Sequence, residues 1–212
     1  ISELNADLLI DEMDNIDRAT LKAINRYPNM KVIVKLNDFK NSMSGDFPPN
    51  VKFISTSEEP IEGAARWRYG VNTDFIKKGK INKSLICDIS YVGSPSQYKI
   101  NILSPYLYPV GKTNFKCFGK EKWDFCQYCG SISNDNLSDL FVSSKENIVI
   151  TQPNQKFLPE KVFEIFASGG SIIGEKENPS YLDIIKEDSR EIFIEKNSYN
   201  NRAIQLLDII NE

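Results

Sequence analysis

Apolar and polar positions along the chain fall into two series of short apolar runs separated by amphipathic stretches. The first series is Ala6–Asp11 (ADLLID), Met30–Leu36 (MKVIVKL) and Val51–Ser55 (VKFIS). Each is a near-continuous apolar run of strand length, the pattern of strands covered on both faces in a parallel sheet. Between the first two, Asp14 or Asn15 is positioned to cap a helix running to Tyr27. Ile16, Ala19, Leu21, Ala23 and Ile24 form its inner face, and Pro28 ends it.

From Glu62 to Lys83 the periodicity is lost, and RWRYGVNTDFIKKGKINK reads as an irregular connection rich in Arg and Lys. A second alternation follows. Its expected strands are 87–93 (CDISYVG), 114–119 (NFKCFG), a short one near 127–130, 147–151 (NIVIT), 170–175 (GSIIGE) and 191–195 (EIFIE). Helices are expected at 97–107, 135–144, 160–168, 179–187 and 199–211, the last from the spacing of Ile204, Leu207 and Ile210. The pattern predicts an α/β protein of two Rossmann-like parallel-sheet lobes. An abbreviated lobe spans 1–61, a connection spans 62–83, and a fuller lobe spans 84–212.

Composition narrows the function classes. The chain has 212 residues with 41% hydrophobic and 26% charged positions, an ordinary globular balance. A net charge of -3 and a pI near 5.3 argue against a general nucleic-acid or membrane-surface binder, so small molecules or proteins are the expected partners. No apolar run approaches the roughly 18 to 20 residues of a membrane span, and the opening residues do not form a signal peptide, which sets a cytoplasmic location as the expectation. The sequence opens on Ile1 and enters a strand almost at once, so further domains of a longer polypeptide are expected. It contains no histidine, which leaves acid-base work to carboxylates, Lys, Tyr or Cys. Of the four cysteines, Cys126 and Cys129 form a C-x-x-C pair, while Cys87 and Cys117 sit in apolar runs where a thiol acts as a small hydrophobe.

In an open parallel sheet, ligands bind beyond the carboxyl ends of the strands, where helix N-termini favour anions. Two such turns stand out. In YVGSPSQYK, Gly93 ends a strand, Ser94 and Ser96 precede a helix, and Lys99 offers a countercharge. In QKFLPEKVFEIFASGGSIIGE, Leu158 and Pro159 open a helix, Glu160 suits its positive end, and Gly169-Gly170 closes it. Lys161 and Glu164 lie three apart on one side of that helix. The pair suits a phosphate and ribose hydroxyls, and equally a plain surface ion pair.

The strand ICDISYVGS, the FGKEKW turn, the unit CGSISNDNLSDLFVSSKENIVIT and the block LPEKVFEIFASGGSII, in that order, resemble the donor lobe of two-lobed (GT-B-type) glycosyltransferases. More specifically they are similar to the spore-maturation-protein-like members of glycosyltransferase group 1. The similarity covers roughly residues 60 to 212. It implies that Glu164 binds ribose, that Lys161 is the basic residue ahead of it, and that Gly93, Ser94 and Lys99 attend the diphosphate. It also places Ser131 and Ile132 at the strand end that reads the base, and RWRYGVNTDFI, with Arg66 and Arg68, between the lobes. Two departures stand against the family pattern: Lys156 occupies the place of a second glutamate eight positions before Glu164, and the first lobe is short.

The implied activity is sugar transfer from a nucleoside diphosphate donor, UDP rather than GDP, to a carbohydrate acceptor. The leaving diphosphate is met by helix amides, Lys99 and Lys161, with no obligatory metal and no other cofactor. The resemblance leans to retention. An inverting reaction needs a base, for which Asp11, Glu12, Glu58 and Glu59 are the candidates. The alternative is a non-catalytic nucleotide-binding module or one lobe of a larger enzyme. A dinucleotide-dependent oxidoreductase is disfavoured because neither turn carries G-x-G-x-x-G.

Overall fold

The computed structural model describes residues 8–13, 16–36, 47–107, 113–124, 126–151, 157–173 and 189–211. The chain is α/β and divides into two compact units. One comprises Ile1–Tyr69, Pro153–Leu158 and Asn200–Glu212; the other comprises Gly70–Gln152 and Pro159–Tyr199.

The first unit is built on four parallel strands in the order β1-β2-β3-β4, namely β1 (Leu8–Glu12), β2 (Lys31–Lys35), β3 (Val51–Ser55) and β4 (Ala64–Arg66). Val32, Ile33 and Val34 are almost fully buried, as an apolar run between two neighbouring strands requires. Helix α1 (Arg18–Arg26) begins later than the Asp14 or Asn15 cap expected, two residues that lie outside the described part. Asp17 is its cap, accepting from the Thr20 amide at 2.7 Å and the Thr20 hydroxyl at 2.8 Å. Ile24 on the inner face packs with Met30, Val32, Val34 and Val51.

Strand β4 lies inside the stretch whose lack of periodicity predicted only irregular chain. Three residues are too few to display a period of two, yet they pair in register with β3 from Phe53↔Ala64 to Ser55↔Arg66. The first unit also takes in most of the C-terminal helix, so the chain from Asn200 onward groups away from the 84–212 span. The Trp67 indole donates to the Arg202 carbonyl at 3.0 Å, and Lys31 Nζ donates to Asn211 Oδ1 at 2.6 Å.

The second unit holds a five-stranded parallel sheet in the order β7-β6-β5-β8-β9. Its strands are β5 (Cys87–Val92), β6 (Phe115–Phe118), β7 (Gln127–Tyr128), β8 (Ser144–Ile148) and β9 (Ile172–Ile173). Its helices are α2 (Gln97–Leu107), α3 (Asn134–Ser143), α4 (Glu160–Ser168) and α5 (Arg190–Asn197), and α6 (Tyr199–Asn211) begins in this unit. The core gathers Tyr91, Leu103, Phe115, Cys117, Trp123 and Ile148. The helix expected at 179–187 lies outside the described residues, as do 174 and 175 of the strand expected at 170–175.

Two expectations are corrected here. Strand β8 begins at Ser144 rather than at 147, directly after α3, because the Ser144 hydroxyl closes that helix on the Leu140 carbonyl at 2.9 Å while the backbone already pairs with Cys87. The polar residues Lys145 and Glu146 concealed the strand, and Lys145 is engaged at the surface with Asp88 at 2.6 Å. EIFIE (191–195) forms not a strand but helix α5. Its alternation is overridden by a Ser189 cap onto the Ile192 amide and by burial of Phe193 and Asn197, four apart on one helical face. Phe193 lies 6.1 Å from the Phe163 ring and 5.7 Å from the Phe166 ring.

In α6 the helix agrees with expectation, but the stripe that announced it is not its inner face. Ile204 and Leu207 are each more than half exposed, whereas Arg202 is buried.

Candidate functional site

The strand order of the second unit contains one reversal. From β5 the chain passes through α2 to β6 on one side, and from β8 through α4 to β9 on the other, while β5 and β8 are themselves paired from Cys87↔Ser144 to Tyr91↔Ile148. Connections leaving in opposite directions open a crevice beyond the carboxyl ends of these two strands, the switch point at which open α/β sheets take their ligands. Residues 93–99 follow β5, and the α4 N-terminus follows β8. The Tyr98 hydroxyl donates to the Thr151 carbonyl at 3.0 Å and so bridges the segments after the two strands.

The β5 turn is held tightly. Gly93 donates its amide to the Phe118 carbonyl at 2.8 Å and accepts from the Trp123 indole at 2.8 Å. Gly119 crosses this turn so closely that a Cβ there would stand 2.5 Å from the Gly93 carbonyl oxygen, which is why the crossing needs a glycine. Lys99 curls back from the first turn of α2, its Nζ donating to the Ser94 carbonyl at 3.0 Å. No carboxylate pairs with Lys99 among the described residues, which leaves an ammonium at the turn with capacity for an anion.

Beyond β6 and β7, the Ser131 hydroxyl donates to the Gly119 carbonyl at 3.2 Å, and the Tyr128 hydroxyl donates to the same oxygen at 2.9 Å. Ser131 is thereby tied to the strand-end cluster that holds Gly93, and Ile132 follows it, half-buried, just before the Ser133 cap of α3. Thus Gly93, Ser94, Lys99, Ser131 and Ile132, distant in sequence, gather along the carboxyl edge of one sheet.

On the β8 side, Leu158 is 2% exposed and Pro159 is the N-cap of α4. The helix ends as the sequence predicts: Gly169 adopts φ 92, a left-handed conformation, and its amide closes on the Ile165 and Phe166 carbonyls. Lys161 Nζ and Glu164 Oε2 form the i,i+3 ion pair at 2.5 Å, with side chains 30% and 18% exposed. The ammonium also stands 5.7 Å from the centre of the Phe141 ring. Glu164 Oε2 is buried, and the Lys161 ammonium is the counter-charge against it. Glu160 Oε1, one turn earlier, is instead taken by the Tyr199 hydroxyl at 2.8 Å.

The residues that orient the site without belonging to either turn motif were not legible. Trp123, Tyr128 and Tyr98 each aim a polar tip at a loop carbonyl from an apolar body, and Asn147 bonds Ser90 Oγ at 2.6 Å and the carbonyls of Phe141 and Ser171 at 2.9 Å. An aromatic or Asn next to a strand end was the available signal.

In the first unit, Arg68 forks onto Glu58, Nε to Oε1 at 2.8 Å and Nη2 to Oε2 at 2.6 Å. Arg66 ends β4 with its side chain 55% exposed, 3.7 Å from the same carboxylate. The two arginines are therefore together but not equivalent: Arg68 is committed to an internal pair and Arg66 faces solvent. Glu58, a candidate base, is the partner in that pair, and the Glu59 amide donates to the Ser57 hydroxyl at 3.1 Å. Asp11 and Glu12 close β1, opposite Val34 and Lys35, and their side chains lie outside what the structure describes.

The thiols of Cys87 and Cys117 are buried among apolar side chains, and burial pushes the Cys87 thiol above its ordinary pKa. Both Cys117 and Cys126 are free thiols; a hydrogen bond between them, with burial, raises Cys117, while the same hydrogen bond lowers Cys126. Tyr91 is pushed up to about 12 by burial, which keeps the phenol neutral beneath the Gly93 turn. Among the described residues no three His, Cys, Asp or Glu side chains are grouped to hold a metal ion, and no helix is long and apolar enough to cross a membrane.

No protein-family model and no curated protein matches the sequence. Solved structures do match. A point mutant of T4 phage BGT in complex with UDP-glucose aligns with a TM-score of 0.51 at 16% identity, covering 99% of this chain and 78% of that one. A DNA-modifying enzyme, β-glucosyltransferase, determined with and without uridine diphosphoglucose, aligns with a TM-score of 0.54 at 17% identity over 99% and 72%. A further T4 phage β-glucosyltransferase structure gives 0.50 at 16% identity, over 99% and 78%. At these identities the likeness speaks for architecture and does not single out the spore-maturation-like group. By fold, the chain has the two-unit, parallel-sheet architecture of the GT-B-type glycosyltransferases.

Proposed function

We propose that the chain is a glycosyltransferase that moves a sugar from a nucleoside diphosphate donor, UDP rather than GDP, to a carbohydrate acceptor. The observation that carries the reading is the placement of the Gly93–Lys99 turn and the Lys161–Glu164 helix after adjacent strands at one switch point, each bearing a lysine. The Glu164 carboxylate is an acceptor of the kind that ribose hydroxyls require. Lys99 and Lys161, together with the amides that open α4, supply positive potential for a diphosphate.

The chemistry asks little more of these residues. As the bond from anomeric carbon to diphosphate oxygen breaks, negative charge grows on the leaving group, and fixed cations and dipoles stabilise it more than they stabilise the ground state. This needs no divalent metal. Retention is the proposed outcome, since it dispenses with a base and Glu58 is already enclosed by Arg68. Inversion would call on Asp11 or Glu12 at the end of β1.

UDP-sugar likeness in the T4 phage structures supports the donor class, while their DNA-modifying role belongs to those enzymes. The test is calorimetry with UDP, GDP and NAD, followed by assay of UDP-sugar turnover and of the anomeric configuration of the product. Binding of NAD in preference to either diphosphate would overturn the reading. Nucleotide binding with neither transfer nor donor hydrolysis would leave a binding module in its place.

A further inference from the structure

A cavity of about 350 Å³ lies in the first unit and shares no residue with the switch-point turns. It is lined by Arg66 and Arg68 from the end of β4, by Arg202, Gln205 and Asp208 from α6, and by apolar Ala65 and Ile209. The volume is in the range of small-molecule sites, roughly 300–1,000 Å³.

Donors outnumber acceptors in the walls, three guanidiniums and an amide against the Asp208 carboxylate. Arg68 spends Nε and Nη2 on Glu58, which fixes the guanidinium plane and leaves Nη1 outside that pair. The Arg66 side chain makes no hydrogen bond among the described residues, its contact being the looser 3.7 Å approach to Glu58. Gln205 accepts from Arg202 Nη1 through Oε1 at 2.8 Å, so the group it can still turn to a ligand is its NH2. Arg202 is itself anchored by its Nε to the Tyr69 carbonyl at 3.2 Å. Donors in excess of acceptors suit an oxyanion, and guanidinium forks suit a phosphate. Asp208 is the opposite kind of group, a carboxylate that would repel a bare phosphate and accept from a hydroxyl. Ala65 and Ile209 offer a surface to carbon-bound hydrogens.

We propose that this cavity binds a small phosphorylated polyol, a sugar phosphate, with its phosphate on Arg66, Arg68 and Gln205 and a hydroxyl on Asp208. The assignment rests on first-unit residues alone and stands whether or not the second unit takes a nucleotide. A concave site with a carboxylate in its wall fits a compact phosphate monoester better than a polymer backbone, which asks for an extended basic stripe.

The test is calorimetry on the full chain with glucose 6-phosphate as probe, with and without saturating UDP. Inorganic phosphate, glucose and a short single-stranded DNA serve as comparison arms. Glucose 6-phosphate should bind in the presence of UDP, Arg66→Gln should weaken it about tenfold or more, and glucose alone should not bind. Asp208→Asn should reduce affinity for glucose 6-phosphate while leaving or improving that for inorganic phosphate. Both substitutions are at exposed positions, and circular dichroism should show them folded. Displacement of the probe by UDP, or unchanged affinity in Arg66→Gln, overturns the assignment. DNA binding more tightly than glucose 6-phosphate and losing affinity in Arg66→Gln would assign the arginines to a phosphodiester chain instead.

Discussion

Lys161 Nζ stands 2.5 Å from Glu164 Oε2 on α4, an i,i+3 ion pair whose two side chains are both largely buried. If this carboxylate receives a ribose hydroxyl, Glu164→Ala should weaken UDP binding by roughly tenfold to a hundredfold, from about 1.5 to 3 kcal/mol for hydrogen bonds to a charged group. Glu164→Gln should lose less, because it keeps one acceptor oxygen. Calorimetry and melting temperature on the same variants decide the matter. A folded Glu164→Ala protein with unchanged UDP affinity would reduce the pair to a local helix contact.

UDP should bind in the presence of EDTA, since Lys99 and Lys161 with the α4 amides supply the countercharge of the proposed site. Affinity lost in EDTA and regained with manganese or magnesium would replace that mechanism with a metal-bridged one.

Removing Arg68 should cost stability, whereas removing Arg66 should not. Arg68→Ala leaves the Glu58 carboxylate, 11% exposed, without its bidentate partner, and an unpaired group of this kind costs roughly 1–3 kcal/mol. Arg66 is 55% exposed and holds only a loose contact, so Arg66→Ala should stay within about 0.5 kcal/mol. Urea denaturation of the two variants gives the comparison.

Gly119→Ala should destabilise the second unit by about 1–3 kcal/mol, the usual cost of forcing an extra carbon into packed structure. Its Cβ would meet the Gly93 carbonyl oxygen at 2.5 Å, and backbone cannot yield as a side-chain tip can. The same substitution should loosen the turn that carries Ser94 and Lys99, so nucleotide affinity should fall together with stability. A Gly119→Ala protein with wild-type stability would show that the two turns do not touch in solution.

Acid should erode stability through Asp88 and Asp17. The Lys145 ammonium and then the Asn114 amide hold Asp88 below the usual carboxylate range, and the Thr20 amide and hydroxyl do the same for Asp17. A carboxylate whose folded pKa is depressed contributes stability above its unfolded value near 3.9, and that contribution is lost as pH falls through the folded value. Denaturation midpoints should therefore drop below about pH 4, and the drop should be smaller in Asp88→Asn.

The sheet class and helix α4 were readable from residue order because both depend on local physics. Continuous apolar runs such as Val32–Val34 can be satisfied only between other strands, and Pro159 with Gly169 marks both ends of α4 by backbone preference alone. Where local physics was indifferent, tertiary contacts decided. EIFIE has the alternation of a strand, yet Phe193 reaches Phe163 and Phe166 only from a helix. Lys145 and Glu146 look like loop, yet they belong to the strand that completes the sheet against β5.

Glycines, lysines and the Lys161–Glu164 spacing were likewise visible as residue types in suggestive places. That the β5 turn and α4 follow two adjacent strands of one sheet was not, because it follows from strand order, and strand order is set by which sheet edge each crossover covers. Nor could sequence separate Arg66 from Arg68, two positions apart on a connection with no periodicity. Only the folded position of Glu58 commits one guanidinium to an internal fork and leaves its neighbour facing a cavity, since pairing depends on distances of a few ångströms between residues that the chain alone does not bring together.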